Sequence, residues 1–398
     1  MAAMEALKSV YLSKCKDFAC EPVQAFLDDL DSAQGDVLAD LRLAGSSKRM
    51  FNNRLDTMQV FALCETLADD TNIMAMDLSH NFLTDMATQA LASIIKSNRT
   101  IRFINLAGND IGPEGAQHLA KALSHPSCSL QAMSLTGNPL EEDGCMAMAD
   151  MLRVNTSLRA LDLNNVGAGV KGLVSVCSAL TPDAVEPRGQ ANTSLEVLDL
   201  GQPVIHQPQD TVVLAISRML AGNPTLFELG LSKQRLVDSQ LETLVSYGLL
   251  HNQVLTSIDL RANRLSGFSG PQLERLLTEN THISALNLAS NMLGDAGACS
   301  LARCLPYCTW LTRLDLRNNN IGEQGLVALA DALSLAGHLQ LLLLWGNVFG
   351  PASSRAFLEA LGSDGHKVEQ LVIDVRPYEV DGVAQVAHLD TSEAEEAL

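Results

Sequence analysis

A leucine pattern that repeats almost throughout the chain constrains its fold more than any other feature. The pattern reads L-x-x-L-x-L-x-x-N-x-L, as in Ile101, Ile104, Leu106, Asn109 and Ile111. Its first positions follow one another at intervals of 28 or 29 residues over most of the sequence. A repeated unit of this kind buries its apolar face only against its neighbours. The 398 residues are therefore predicted to form one stacked array, although length alone would favour two or three domains.

Each repeat is predicted to contain a short strand, a turn and a helix. The two leucines of the L-x-L segment point into the core, and the residue between them faces outward. The Asn side chain both donates and accepts, so it can satisfy backbone groups where the chain leaves the strand. Helical spacing follows, as in Ala116, Leu119, Ala120 and Leu123.

This pattern resembles the leucine-rich repeats of the ribonuclease-inhibitor class. The resemblance covers about 12 repeats in residues 36–375. It implies an α/β solenoid shaped like a horseshoe, with a concave parallel β-sheet and convex helices. Residues 1–35, with Pro22 near the start of a predicted helix, are expected to form an N-terminal helical cap. Residues 376–398 are expected to form a C-terminal cap and a short acidic tail.

The array is interrupted between residues 164 and 210. Val166, Pro203 and Gln234 stand where the pattern calls for Asn, and about nine extra residues fall near 181–190. A tolerated surface loop explains the insertion. A bend in the array or a partner-specific loop is the sharper but less common explanation.

Composition limits the classes of partner. The formal net charge is −19, so polyanionic nucleic acids and anionic membrane surfaces are disfavoured. No run of about 18 apolar residues predicts a membrane span. The nine cysteines include no Cys-x-x-Cys pair, which indicates reduced thiols and a cytoplasmic location.

Several motifs that resemble chemical sites have structural explanations. Gly167, Gly169 and Gly172 spell G-x-G-x-x-G, but the last two occupy the glycine positions of the strand-to-helix turn in other repeats. The spacing of Cys299, Cys304 and Cys308 does not match a closed zinc site. No hydrolase elbow, zinc-protease or phosphate-loop motif occurs, so we expect no enzyme activity, cofactor, metal or small-molecule substrate.

Three Asn-x-Ser/Thr sequences follow predicted helices, at Asn98, Asn155 and Asn192. They are not expected to be glycosylated in a cytoplasmic protein. We expect these asparagines to adopt the left-handed conformation that ends helices.

The outward strand positions define a candidate binding surface. Five of them are aspartates, which form a predicted acidic row: Asp77, Asp162, Asp199, Asp259 and Asp315. Near the C-terminus this row is joined by arginines and a tryptophan, both common at binding hot spots. The predicted partner site consists of Asp259, Arg261, Arg313, Asp315, Arg317, Leu343 and Trp345. The competing interpretations are ordinary L-D-L usage for the row, and alternating surface charges with a tryptophan that covers the last repeats for the site.

These features predict a non-catalytic scaffold that binds protein partners within a multi-subunit assembly. The segment from Asp374 to Ala387 and the layout resemble leucine-rich-repeat proteins of cilia and flagella. That resemblance implies a structural role in the axoneme, such as in a radial spoke. The alternative is a GTPase-activating protein for a Ran-like GTPase, a class with this repeat type and an acidic C-terminus. An inhibitor of a basic secreted ribonuclease is a third interpretation, and it would use the acidic row.

Overall fold

The computed structural model describes residues 2–33, 38–182, 191–205, 210–362 and 371–392. The chain divides into two compact units, Met1–Val204 and Ile205–Leu398. In each unit, three-residue strands alternate with helices of about three turns. Residues 183–190 of the predicted insertion, Pro208, Val368 and the acids of the C-terminal tail beyond residue 392 lie outside the described residues.

The first unit contains seven helices and six strands among its described residues. In chain order they are α1 (Ala2–Asp17), α2 (Gln24–Ser32), β1 (Asp40–Arg42), α3 (Thr57–Leu67), β2 (Ala75–Asp77), α4 (Asp85–Ser97), β3 (Phe103–Asn105), α5 (Pro113–Leu123), β4 (Ala132–Ser134), α6 (Glu141–Leu152), β5 (Ala160–Asp162), α7 (Gly169–Leu180) and β6 (Val197–Asp199).

The second unit continues the alternation and ends in a hairpin. Its elements are α8 (Asp210–Gly222), β7 (Glu228–Gly230), α9 (Asp238–Leu244) with a π turn (Val245–Leu249), β8 (Ser257–Asp259), a 3₁₀ turn (Gly267–Ser269), α10 (Gly270–Glu279), β9 (Ala285–Asn287), α11 (Gly294–Cys304) with a 3₁₀ turn (Leu305–Tyr307), β10 (Arg313–Asp315), α12 (Glu323–Leu333), β11 (Leu341–Leu343), α13 (Pro351–Leu361), β12 (Val372–Ile373), β13 (Val375–Val380) and β14 (Val383–His388).

Strands β1 to β6 of the first unit, and β7 to β11 of the second, pair successively in parallel with the register that the leucine pattern predicts. The buried central residues of the first unit align in the order Leu41, Met76, Ile104, Met133, Leu161 and Leu198. Helical residues such as Ala116 and Leu119 are fully buried against them. Each described repeat thus contributes one strand residue and one helix stripe to the aliphatic core of its unit. The α/β leucine-rich-repeat fold class is confirmed.

The last strand departs from the predicted register. The leucine pattern aligns Leu371 with Leu342, whereas the structure pairs Ile373 with Leu342. A slip of two residues leaves the same side chains on the same face of a strand, so the alternating pattern could not detect it. The slip places Asp374, rather than a further apolar residue, at the end of this strand.

Two helices precede the first strand. Helix α2 begins just after Pro22, as predicted, whereas α1 is an addition to the prediction. The Tyr11 ring of α1 lies edge-on to Phe26 of α2, with centroids 4.9 Å apart. Its hydroxyl oxygen accepts a hydrogen bond from the Val23 backbone N–H (2.9 Å). The predicted boundaries of the two caps, at residues 35 and 376, remain predictions.

The C-terminal hairpin pairs β13 with β14 in antiparallel fashion, from Val375–His388 to Val380–Val383. Asp381 and Gly382 connect the strands, and both have positive φ angles (52° and 78°). That combination is typical of the two-residue turns that match the twist of a hairpin. No helix of the described residues is both long and apolar enough to cross a membrane.

Candidate binding face of the second unit

The strand register brings the predicted partner site onto one face of the second unit's sheet. Asp259 aligns with Asn287, Asn287 with Asp315, and Asp315 with Leu343. Arg261, Arg317 and Trp345 lie two residues further along their chains, at the ends of the same strands. We call this surface the outer sheet face. Its role in binding remains a prediction.

Asp315 and Arg317 form a tight ion pair on this face. The Arg317 Nη2 and Nε atoms lie 2.6 and 3.0 Å from Asp315 Oδ2, and Nε lies 3.1 Å from Oδ1. Asp315 is only 7% exposed. The prediction that Asp315 projects into solvent is therefore wrong, because the guanidinium of its neighbour covers its carboxylate. The two residues stabilise each other, which leaves Asp315 little freedom to contact a partner.

Leu343 lies on this face as predicted, but it is also buried, with 2% of its surface exposed, so the prediction that it is accessible is wrong. It lies beside Asp315 in a strand of three buried leucines. The next strand beside β11 is the short β12. After it, at Asp374, the chain leaves the sheet and turns back as the hairpin. The outer position of the last full strand is therefore buried, as is that of Asp315 in the strand before it.

Trp345 follows that strand and is 41% exposed. Its ring lies 4.8 Å from the imidazole of His388 at the end of the hairpin, inclined by 39°. One part of the indole therefore packs on the hairpin and the other faces solvent. This geometry agrees with both sequence interpretations, a cover for the last repeats and an accessible aromatic contact.

Asp374 closes the edge of the sheet. Its Oδ1 accepts a hydrogen bond from the Leu344 N–H (2.7 Å), and its Oδ2 accepts one from the Trp345 N–H (3.0 Å). In earlier repeats a backbone carbonyl of the next strand takes this role, as Leu343 O does for Leu316 N. Burial raises the pKa of the Asp374 carboxyl above its ordinary value, although these hydrogen bonds and the positive charge of Arg317 oppose the rise.

Sequence analysis did not place Asp374 or His388 in this site. A signal for Asp374 existed, because it follows Ile373 as Asp315 follows Leu314, but the predicted register concealed it. No sequence signal could have placed His388 against Trp345, since the hairpin that joins them depends on tertiary packing.

Two arginines of the predicted site keep more accessible guanidinium groups. Half-buried Arg313 makes no side-chain hydrogen bond or ion pair with any residue that the structure describes. Arg261 is exposed, and its Nη2 lies 3.9 Å from Asp259 Oδ2. A contact of this length between exposed groups contributes little to stability. Arg261, Arg313 and Trp345 are therefore the predicted site residues best placed to contact a partner.

The acidic row has a local structural role. In each of its five aspartates, Oδ1 accepts a hydrogen bond from the backbone N–H two residues later, for example Asp77 from Ser79 (3.0 Å) and Asp259 from Arg261 (2.8 Å). Asn105 and Asn287 make the same bond at equivalent positions. An oxygen acceptor, rather than a negative charge, is the shared requirement. This favours the ordinary-usage interpretation of the row.

The asparagines of the leucine pattern form a buried ladder along the turns that leave the strands. We call these the strand-exit asparagines: Asn81, Asn109, Asn138, Asn263, Asn291, Asn319 and Asn347. Asn109 is representative: its Nδ2 donates to Leu106 O (2.8 Å) and Leu78 O (3.1 Å), and its Oδ1 accepts from Leu83 N (3.0 Å). One side chain thus joins two repeats, as the pattern predicts.

A second set of asparagines joins the repeats where the chain leaves the helices. These helix-exit asparagines are Asn98, Asn155, Asn192, Asn223, Asn252 and Asn280. Asn98 has an extended backbone (φ −73°, ψ 138°), and neither Asn155 nor Asn192 has a positive φ. The predicted left-handed caps are therefore wrong. Instead, Asn155 Nδ2 donates to Leu123 O (2.7 Å) of the preceding repeat, and Oδ1 accepts from Leu158 N (2.7 Å).

The G-x-G-x-x-G segment forms a turn in which a carboxylate of the chain already occupies the place where a phosphate would bind. Gly167 and Gly169 have positive φ angles (73° and 59°) just before or at the start of α7. The Glu142 carboxylate accepts a hydrogen bond from Lys171 N (3.0 Å), at the helix N-terminus where a dinucleotide phosphate would bind. A Cβ added at Gly172 would lie 2.9 Å from Cys145 Cβ. This glycine is needed for close packing of α7 against α6.

The described cysteines are free thiols. Burial raises the pKa of Cys64, Cys145 and Cys177 to about 12, so these thiols stay protonated and unreactive at neutral pH. Cys304 and Cys308 are buried and donate to backbone carbonyl oxygens of their own helix and its end. Within the described part of the chain, no three His, Cys, Asp or Glu side chains are grouped to hold a metal ion.

Comparison with known proteins places these features in a class. The Leucine Rich repeat family model matches residues 97–120, 279–302 and 307–330. The chain is 28% identical to pig (Sus scrofa) ribonuclease inhibitor over 233 residues, which are 58% of this chain and 49% of the inhibitor. It is 30% identical to rat (Rattus norvegicus) NACHT, LRR and PYD domains-containing protein 3 over 179 residues, which are 42% of this chain and 16% of that protein. The chain thus spans at most about half the length of these relatives.

Among solved structures, the leucine-rich repeat-containing protein LegL7 from Legionella pneumophila is 17% identical, with a TM-score of 0.49 over 83% of this chain and 99% of that one. The strand register, the asparagine ladders and the sequence matches together define the class. The described part of this chain has a leucine-rich-repeat fold, and its repeats are similar to those of ribonuclease inhibitor.

Proposed function

We propose that the chain is a non-catalytic scaffold that holds a protein partner against the outer sheet face of its second unit. Arg261, Arg313 and Trp345 are the proposed contact residues. The observation that carries this proposal is that these three side chains remain accessible on one face, whereas Asp315, Arg317 and Leu343 are committed to the fold. An arginine and an aromatic ring on a rigid sheet combine large contact area with little loss of side-chain freedom on binding.

Affinity purification of the tagged chain followed by mass spectrometry tests the proposal. The test variant carries Arg313→Ala and Trp345→Leu, because leucine keeps an apolar side chain against His388. The matched control carries Arg218→Ala and Tyr307→Leu, an arginine and an exposed aromatic on the helix side of the same unit. We expect the test variant to recover at least about tenfold less partner, and the control to recover as much as wild type. Equal recovery by both variants would refute the outer sheet face as the binding site.

The narrower proposal is a cytoplasmic role in a multi-subunit assembly, specifically as a structural component of the ciliary or flagellar axoneme such as a radial spoke. Its support is the resemblance of the C-terminal segment and layout to ciliary leucine-rich-repeat proteins. Purification from ciliated cells tests it, and we expect axonemal subunits to be recovered together with the chain. A stable complex that contains no axonemal protein would remove the axonemal role and leave the scaffold proposal intact.

The alternative, activation of a Ran-like GTPase, is supported only by shared repeat type and an acidic C-terminus. Single-turnover GTP hydrolysis by Ran, measured with and without the chain, decides between the two. Unchanged hydrolysis is expected for a scaffold. Clear acceleration would require an arginine or another polar residue of the chain to act on the nucleotide, and would overturn the non-catalytic assignment.

A further inference from the structure

The two strands of the C-terminal hairpin differ in how their outer edges are protected. On β13, Pro377 has no N–H to offer, and the charged residues Arg376 and Glu379 lie close to it. On β14, the six residues Val383–His388 include no proline and no Asp, Glu, Lys or Arg. Proteins usually protect a free strand edge with proline, charge or a covering element, because an unprotected edge pairs with other strands. The sequence of β14 has none of the protective residues.

The hydrogen bonds of the hairpin show which backbone groups of β14 point away from β13. Leu389 N donates to Asp374 O (2.8 Å) at the open end of the hairpin. Hydrogen-bonded and non-hydrogen-bonded pairs alternate along an antiparallel ladder. Counted from that bond, the β14 residues in non-hydrogen-bonded pairs are Ala384, Val386 and His388. Their backbone N–H and C=O groups face the outer edge, where no backbone group of the described residues bonds to them.

The charges around β14 are mostly negative. Glu379 precedes the turn of the hairpin, Asp381 lies in it, and Asp390 follows β14, and all three are exposed. The only lysine or arginine between residues 371 and 392 is Arg376. The hairpin belongs to a chain whose formal net charge is −19. This field favours a positively charged occupant of the edge and disfavours a second copy of the chain.

We infer that β14 is a docking edge for an extended segment of a protein partner, with alternating apolar residues and with Lys or Arg at its ends. The segment adds a third strand to the hairpin, and its backbone pairs with the outward groups of Ala384, Val386 and His388. Its apolar side chains lie beside half-buried Val386 on one face and beside Val383, which is 47% exposed, on the other. This edge is separate from the outer sheet face and goes beyond the function proposed for that face.

A fluorescein-labelled peptide in which valine and threonine alternate, with two lysines at each end, is the probe. Fluorescence anisotropy with the full chain is the measurement. One comparison peptide has proline at two successive central positions, so that each of its edges lacks an N–H. Another has glutamate in place of the lysines. We expect the lysine peptide to bind, the proline peptide not to bind, and the glutamate peptide to bind at least about fivefold more weakly at low salt.

A proline substitution in β14 locates the contact. Val386 lies opposite Pro377 in a non-hydrogen-bonded pair, so Val386→Pro removes a donor from the outer edge and no hydrogen bond from the hairpin. We expect it to weaken binding of the lysine peptide at least about fivefold. The matched control, Val386→Thr, keeps both the N–H and a β-branched side chain, and should change the affinity less than about twofold.

A second variant tests the charges without a proline. Glu379→Gln with Asp381→Asn removes two carboxylates, and asparagine tolerates the positive φ of residue 381. We expect this variant to bind the lysine peptide about threefold more weakly at low salt. Thermal unfolding checks that each variant is folded.

Equal affinity of the wild-type chain and Val386→Pro for the lysine peptide would overturn the inference. So would equal binding of the lysine and proline peptides. A dimer of the chain alone, detected by light scattering and abolished by Val386→Pro, would show that a second copy occupies the edge and would overturn the assignment to a partner. Failure of the lysine peptide to bind would remove the docking edge. The scaffold proposal would then stand, because it is tested at Arg313 and Trp345 with captured partners.

Discussion

The strand-exit and helix-exit asparagines are replaced by other residues at different places along the chain. The strand-exit asparagines are replaced by Val166, Pro203 and Gln234 in the middle, where the helix-exit asparagines Asn155, Asn192 and Asn223 continue. In the last repeats the situation reverses. There the strand-exit asparagines are regular, and Cys308 and Ala336 take the helix-exit positions.

The gaps are filled by backbone groups. At the last two helix exits, Leu311 N and Leu339 N donate to the backbone carbonyls of Cys308 and Ala336, at 3.0 and 3.1 Å. At the interrupted strand exit, Glu141 N donates to Val166 O (2.9 Å). From this difference we infer that one amide bridge to its neighbour, at either end of its helix, suffices for a repeat. An insertion at 181–190 is tolerated because Asn192 follows it directly and restores the bridge.

The largest expected effect is at a helix exit beside the interruption. Asn155→Ala removes a donor to Leu123 O and an acceptor for Ser157 N and Leu158 N in a site that is 95% buried from solvent. We expect the free energy of unfolding to fall by about 3 kcal/mol in urea titrations, because buried backbone groups lose their partners. Exposed Asn53→Ala is the control and should change it by less than about 0.5 kcal/mol. A loss at Asn155 no larger than at Asn53 would refute the bridging role.

The strand exits test whether one bridge suffices. Asn109→Ala removes four hydrogen bonds in a repeat whose own helix-exit position, in the segment 125–129, carries no asparagine. We expect a loss of about 2–3 kcal/mol in the free energy of unfolding. Asn263→Ala removes the equivalent bonds in a repeat that has a helix-exit asparagine on both sides, Asn252 before it and Asn280 after it. This variant should lose about 1 kcal/mol less of the free energy of unfolding. Equal losses would show that the two sets act independently.

The edge of the second unit's sheet gives a pH-dependent test. The folded state holds the Asp374 proton more tightly than the unfolded state, because burial raises this pKa above 3.8. The stabilising contribution of Asp374 relative to asparagine is therefore present below pH 3.8 and is lost as the pH rises through the folded-state pKa. Urea unfolding of wild type and Asp374→Asn across this range should show a difference in the free energy of unfolding that falls as the pH rises. A difference that rises with pH would contradict the sign.

The smallest expected effect is in the acidic row. Asp77→Asn keeps the oxygen that accepts the Ser79 N–H and should change the free energy of unfolding by less than about 0.5 kcal/mol. Asp77→Ala removes it and should cost about 1 kcal/mol, as measured by thermal or urea unfolding. If the Asn variant were as unstable as the Ala variant, the negative charge itself would matter, and the row would regain its interest as a binding feature.

Much of this could be predicted because the repeat period is local information. Apolar residues that recur every 28 or 29 positions occupy equivalent environments. The spacing of Leu106, Leu135 and Leu163 therefore predicted the strands and the core. The outer sheet face followed from the same alternation, and it correctly brought Asp259, Arg261 and Trp345 onto one surface. The helix-exit asparagines carried the same periodic signal, but a local cap motif gave them the wrong backbone conformation.

The sequence by itself therefore determined the strands, the aliphatic core and which residues share a face, because these depend on periodicity alone. Only the tertiary structure decided which of those residues remain accessible. Leu343 and Asp315 share the alternation of their exposed counterparts, but the last strand slips by two residues and ends at Asp374. The chain then folds back, so that His388 meets Trp345. Burial at the end of an array depends on what packs beyond it, and a repeat pattern has no information past its final repeat.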